Sequence, residues 1–158
     1  MQQPDSLNQV AEFHRTFHAP ILDSPQIPSD ARAQLRVSLL AEELDELREA
    51  IAEKDLVAVA DALCDLQYVL SGAVLEFGLG DKFKALFDEV QRSNMSKACL
   101  TVAEAEATVA QYTAKGVACH YIESEGKFLV FRDADHKTLK SIHYSPADLE
   151  GILAVNQT

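Results

Sequence analysis

With 158 residues, 47% of them hydrophobic, the chain is long enough to bury a sizeable core and too apolar for intrinsic disorder. Its formal net charge of −11 argues against nucleic acid or an anionic membrane as a general partner. Cys64, Cys99 and Cys119 are an odd set without regular spacing and fit reduced thiols. No basic, apolar leader opens the chain, so neither a signal peptide nor a transmembrane helix is expected, and a cytoplasmic location is.

In chain order, Leu7, Val10, Phe13 and Phe17 predict a short amphipathic helix over residues 6 to 18, capped by Asp5 or Ser6. Its His14 and His18 stand one turn apart as a metal pair lacking a third ligand, so capping or packing is the favoured reading for them. A proline-rich loop follows, and Ser29 or Asp30 then caps a long helix to about Lys54. Leu40, Leu44, Leu47 and Ile51 form its apolar stripe. Leu35, Leu39 and Ala50 widen that stripe toward Glu43 and Glu46, with Glu42 at the border.

A tight connection and an Asp55 cap lead into a helix from Leu56 to about Phe77 that is apolar in nearly every direction, which predicts burial. Asp61 and Asp65 share one face of it, followed on the same line by Tyr68 and Gly72. Two buried anions would cost roughly several kcal/mol each if unpaired, so a cation must stand between them. Glu43 and Glu46 on one helix facing Asp61 and Asp65 on the next form an all-oxygen set suited to Mg²⁺ or Mn²⁺ and not to zinc. The competing reading has Arg36 and Arg48 neutralise some acids, with the run from Glu42 to Glu49 a solvated face.

Gly78-Leu79-Gly80 stops this helix, and Asp81 opens another through Phe83, Leu86, Phe87 and Val90. The polar string from Glu89 to Lys97 reads by composition as a helix C-terminus with a lysine complementing the dipole. Thr101 and Glu104 form a capping box for a helix to about Lys115. Residues 117 to 123 and 127 to 132 predict a β-hairpin around Ser124-Glu125-Gly126, with room for a third short strand before Ser141. Pro146 then stands at the first position of a final helix.

Glu42-Glu43-Leu-Asp-Glu46 and Asp61-Ala-Leu-Cys-Asp65-Leu-Gln-Tyr68 resemble the E-E-x-x-E and acidic second-helix motifs of the all-α nucleoside triphosphate pyrophosphohydrolases. That superfamily includes MazG-like enzymes, dimeric dUTPases and phosphoribosyl-ATP pyrophosphohydrolase. The family's second motif is usually E-x-x-D, and here Ala62 stands where its glutamate would, with Asp61 one residue earlier. Arg92-Ser-Asn94-Met-Ser-Lys97 and the tail from Lys137 through Lys140, Tyr144 and Pro146 to Asp148 resemble strings of a phosphoribosyl-ATP pyrophosphohydrolase-like branch.

The resemblance implies one mainly α domain, with a four-helix-bundle-like catalytic core over residues 6–97 and a C-terminal helix, β-hairpin and tail over 101–158. It implies Mg²⁺- or Mn²⁺-dependent hydrolysis of a (deoxy)nucleoside triphosphate between the α and β phosphates. Glu43, Glu46, Asp61 and Asp65 would be the metal ligands, and Glu42 a further ligand or the base, so that Glu42, Glu43 and Glu46 are the catalytic set. Arg15, Asn94, Lys97, Lys140 and Tyr144 would contact substrate, and a homodimer or higher homo-oligomer is expected. Two other readings stay open: phosphoribosyl-ATP hydrolysis in histidine biosynthesis, and a catalytically silent nucleotide-binding module in which Ala62 marks a lost ligand.

Overall fold

A computed structural model describes residues 2–154 of the chain. They fall into two compact units, one ending at Phe83 and the other starting at Lys84. The sequence reading set the end of the helical core later, at Lys97.

Three α-helices build the first unit: α1 (Ser6–Thr16), α2 (Asp30–Glu53) and α3 (Leu56–Glu76). The turn between α2 and α3 follows from two residues. Lys54 takes the left-handed conformation (φ 58°) and donates its N–H to the carbonyls of Ala50 and Ile51, which ends α2. Asp55 then accepts from the backbone N–H groups of Val57 (2.9 Å) and Ala58 (3.1 Å), which starts α3. So short a link makes the helices antiparallel neighbours, and Arg36 near the start of α2 duly reaches Glu76 in the last turn of α3. Val10 and Ala11 of α1 pack with Leu75 to make the small core. The proline-rich loop is tied down where Leu22 N–H donates to Leu75 O and Gln26 N–H to Phe77 O, both at 3.1 Å. Gly78 (φ +67°) permits this seat, because a Cβ there would stand 1.9 Å from the Ser24 carbonyl oxygen.

One expectation fails here: α3 is not buried all round. Only 22% of its most apolar stretch is buried, with Leu56 79% and Leu63 52% exposed. The helix is apolar in every direction, while α1 and α2 cover two of its sides. By length and composition alone (mean hydropathy 1.4) it is also the one helix among the described residues long and apolar enough to cross a bilayer. Its mid-span carries Asp61 and Asp65, which hydrocarbon tolerates poorly.

The second unit contains α4 (Phe83–Met95), α5 (Val102–Thr113), the strands β1 (Cys119–Ser124) and β2 (Lys127–Arg132), and α6 (Leu149–Ala154). Glu125 and Gly126 both have positive φ (51° and 73°), the two-residue turn that matches the twist of a hairpin. β2 is the central strand. Its free edge takes Cys99 through a pair of 2.9 Å backbone bonds with Phe128, and Leu139 through a 2.8 Å bond to Val130. The expected third strand is thus reduced to isolated bridges. Ala105 and Thr108 of α5 close over Cys99, Val130 and Leu139. Thr101 caps α5 as expected, but Glu104 reaches back to the N–H of Leu100 (2.7 Å), one residue upstream of the capping-box partner. The final helix also starts later than Pro146. Arg92 Nη2 takes the Pro146 carbonyl (2.9 Å), and Asp148 becomes the cap by accepting from Gly151 N–H (2.9 Å).

Candidate active site

α2 supplies Glu42, Glu43 and Glu46, and the turn at Lys54-Asp55 brings Asp61 and Asp65 of α3 against them. Burial pushes the Glu43 carboxyl above its ordinary range, and the charges of Glu46, Asp65, Glu42 and Asp61 add to the rise. Acids from both helices therefore converge on one carboxyl. Among the described residues none of the five takes an ion pair or hydrogen bond from lysine or arginine. Arg36 is spent on Glu76, and Arg48 pairs with exposed Asp45, so neither arginine plays the neutralising role weighed from sequence.

Glu42, Glu46, Asp61 and Asp65 are exposed and Glu43 is half-buried, so the cost of burying Asp61 and Asp65 does not arise in the single chain. What calls for a cation is mutual repulsion. In donor chemistry the set fits a hard divalent ion. In arrangement it is not a finished cage, since among the described residues no three His, Cys, Asp or Glu side chains stand together as metal ligands. Ala62, which stands where the family's second motif usually has its glutamate, is buried.

Sequence reasoning missed a second charged cluster. Glu76, fully buried, accepts from Arg32 Nε at 3.0 Å and from the terminal nitrogens of both Arg32 and Arg36. Burial is the largest single influence on its pKa and pushes it up, but the two guanidiniums together outweigh burial and hold it below the ordinary carboxylate value. His14 is buried beside them. Its Nδ1 donates to the Pro20 carbonyl (2.8 Å), leaving Nε2 3.5 Å from Arg36. His14 is thus a packing residue, as favoured from sequence, while His18 is exposed. Gly72 makes the closeness possible, because a Cβ there would lie 2.7 Å from Arg36 Nη1. The available signal was a lone acid ending an apolar helix, with two arginines one turn apart upstream.

Arg15 is exposed and has no ion-pair partner among the described residues. The other four residues expected at the substrate lie in the second unit. Lys97 Nζ donates to Asn94 Oδ1 (2.8 Å), and Lys140 Nζ sits 4.1 Å over the ring of Tyr144. Ser93 Oγ donates to the Tyr144 hydroxyl (3.1 Å), and this bond, with Lys140 and Lys97 nearby, lowers the phenol's pKa against the opposing effect of burial. What orders this patch was not foreseen. Glu89 bonds Arg92 through both oxygens at 2.8 Å and accepts from Asp148 N–H at 2.8 Å, which holds its carboxyl down to about 2. Ser96 Oγ accepts from Ser145 N–H (2.9 Å), so the serines of the Ser93 to Lys97 string seat the tail.

Comparison with known proteins identifies the family. The family described as phosphoribosyl-ATP pyrophosphohydrolase matches residues 10–94, more than half of the chain. An uncharacterised protein of Acanthamoeba polyphaga mimivirus is 32% identical over 97 residues, an alignment covering 56% of this chain and 37% of that relative. The chain therefore matches little more than a third of that relative's length.

Proposed function

We propose a reaction from one established premise: the chain belongs to the phosphoribosyl-ATP pyrophosphohydrolase family, part of the all-α nucleoside triphosphate pyrophosphohydrolase superfamily. Enzymes of this kind hydrolyse phosphoanhydride bonds in nucleotides. In our reading the chain cleaves a (deoxy)nucleoside triphosphate between its α and β phosphates, releasing monophosphate and pyrophosphate. The observation that carries it is the convergence of four acids from two helices on Glu43, with no lysine or arginine paired to any of the five among the described residues.

Glu43, Glu46, Asp61 and Asp65 would hold Mg²⁺ or Mn²⁺, which when bound supplies charge neutralisation for the polyphosphate and a more acidic water. Glu42 receives the proton of the attacking water. Lys97 and Lys140 carry ammonium groups suited to phosphate oxygens, Asn94 and Tyr144 offer hydrogen bonds, and Arg15 brings an exposed guanidinium for the same charge. Phosphoribosyl-ATP is an equally consistent substrate, because the matched family carries that name. Pyrophosphate release measured across the ribo- and deoxynucleoside triphosphates and phosphoribosyl-ATP tests the proposal. Turnover of one or more of them with Mg²⁺ is expected, and turnover of none defeats it.

A second copy of the chain belongs to the same reading. Exposed apolar residues recur every seventh position on α2 (Val37, Leu44, Ile51) and on α3 (Leu56, Leu63, Leu70). That is the spacing of a helical seam, and two antiparallel helices with outward seams form a four-helix bundle with a second such pair. Sedimentation should give at least a dimer, lost in Leu63→Glu; a monomeric wild type would refute this part.

A further inference from the structure

The open end of the hairpin gathers two imidazoles and a carboxylate that the proposed reaction does not use. We propose that His120 and His136 hold one divalent ion of the imidazole-seeking kind, Zn²⁺, Ni²⁺ or Cu²⁺, with Asp133 orienting the first ring. Cys119 and Tyr121 on either side of His120 pack into the core of the second unit, so strand alternation turns His120 outward. Its side chain is 47% exposed and rests beside its cross-strand partner Phe131. Beyond β2 the chain turns back on itself: Asp133 N–H donates to Ala118 O (3.0 Å) and His136 N–H to Arg132 O (2.9 Å). This turn sets the His136 ring against that of His120, with centroids 6.3 Å apart and planes at 82°.

Asp133 Oδ1 lies 2.6 Å from His120 Nδ1. An ionised carboxylate only accepts, so Nδ1 carries the proton and Nε2 presents a lone pair. A carboxylate behind the ring is the partner that fixes a metal-ligating histidine. The His136 ring takes no hydrogen bond among the described residues, and its backbone is left-handed (φ 54°), a conformation that costs a residue with a Cβ. Asp135 holds the turn that imposes it, bonding Arg132 through both oxygens (2.8 and 2.5 Å) and accepting from Lys137 N–H (3.2 Å). Asp135 is thereby spent, and the imidazole pair is left for a ligand. With metal–nitrogen bonds of about 2.1 Å, two imidazoles on one ion have centroids roughly 5–6 Å apart. The observed spacing closes with a small rotation of two exposed rings. Among the described residues no third His, Cys, Asp or Glu completes the set, so water would fill the remaining positions, as in an open site. Neutral imidazole favours a borderline ion over Mg²⁺, which separates this site in chemistry from the acids of α2 and α3.

The test is a titration of Ni²⁺ into the untagged full chain at neutral pH, in excess Mg²⁺ so that carboxylates preferring a hard ion are already supplied. Calorimetry follows the binding, and the imidazole NMR signals locate it. Saturable binding of one ion is expected, with the His120 and His136 signals broadened by the paramagnetic ion before those of His18 and His143. His120→Ala and His136→Ala, both at exposed positions, should each lose the binding, and Asp133→Asn should weaken it about 10–100-fold. The proposal is overturned if no Ni²⁺ binds, if either alanine variant or Asp133→Asn binds as tightly as the wild type, or if the His120 and His136 signals stay sharp while the ion is taken up elsewhere.

Discussion

The first unit handles negative charge in two opposite ways. At the far end of α3, Glu76 is fully buried and bonded by Arg32 and Arg36, so its charge is consumed inside the protein. About three to four turns earlier, Asp61 and Asp65 face Glu42, Glu43 and Glu46 with no such partner among the described residues, and Glu43 is left harder to ionise by burial and by their company. A carboxylate already matched by two guanidiniums holds the helices together. A group of carboxylates that raise one another's energy is useful only when something positive arrives. The difference separates an acid that the fold already satisfies from the acids that the proposed reaction would use.

The largest expected effect follows from removing the matched acid. Glu76→Gln keeps the volume but leaves the buried Arg36 charge uncompensated, and should cost about 3–5 kcal/mol in denaturant unfolding. The sign with pH is fixed. A carboxyl whose folded pKa lies below its ordinary 4.5 contributes stability that is present above that value and lost as pH falls through the folded one. The wild type should therefore lose more stability on acidification below 4.5 than Glu76→Gln does. An equally stable variant would mean that the clamp is ornamental.

Asp65→Asn should act in the opposite sense. Turnover should fall at least about a hundredfold, while stability is unchanged or rises by up to about 1 kcal/mol, because one source of repulsion toward Glu43 is gone. If this variant unfolds as Glu76→Gln does, the two acids are of one kind and the contrast between them disappears.

Much of this was legible from residue spacing. Helix boundaries followed from Asp55, from the glycines after Phe77 and from Thr101, each a local signal whose physics involves only its neighbours. The grouping of the acids was legible for the same reason, since a two-residue link between long helices leaves one way to pack them. Depth was not legible. An all-round apolar α3 reads as buried, yet burial depends on how many elements surround it, and within the first unit α1 and α2 cover two of its sides. The Glu76 cluster joins residues 40 and 44 apart, and its close approach depends on the missing Cβ of Gly72, which no periodicity reveals. The tail was legible only as a string of residues; that Ser93, Ser96 and Glu89 seat it emerged from the folded second unit.

The most direct test is calorimetric titration of Mn²⁺ into the wild type and into Asp65→Asn at two pH values. The account predicts saturable binding to the wild type near neutral pH. Binding should weaken toward pH 5, because a carboxyl with a raised pKa gives protons an advantage over the ion. At about a hundred times its Kd the ion should add about 2.7 kcal/mol of stability, a gain absent from Asp65→Asn. No heat of binding in the wild type, or equal binding in the variant, would contradict the claim that these acids await a cation.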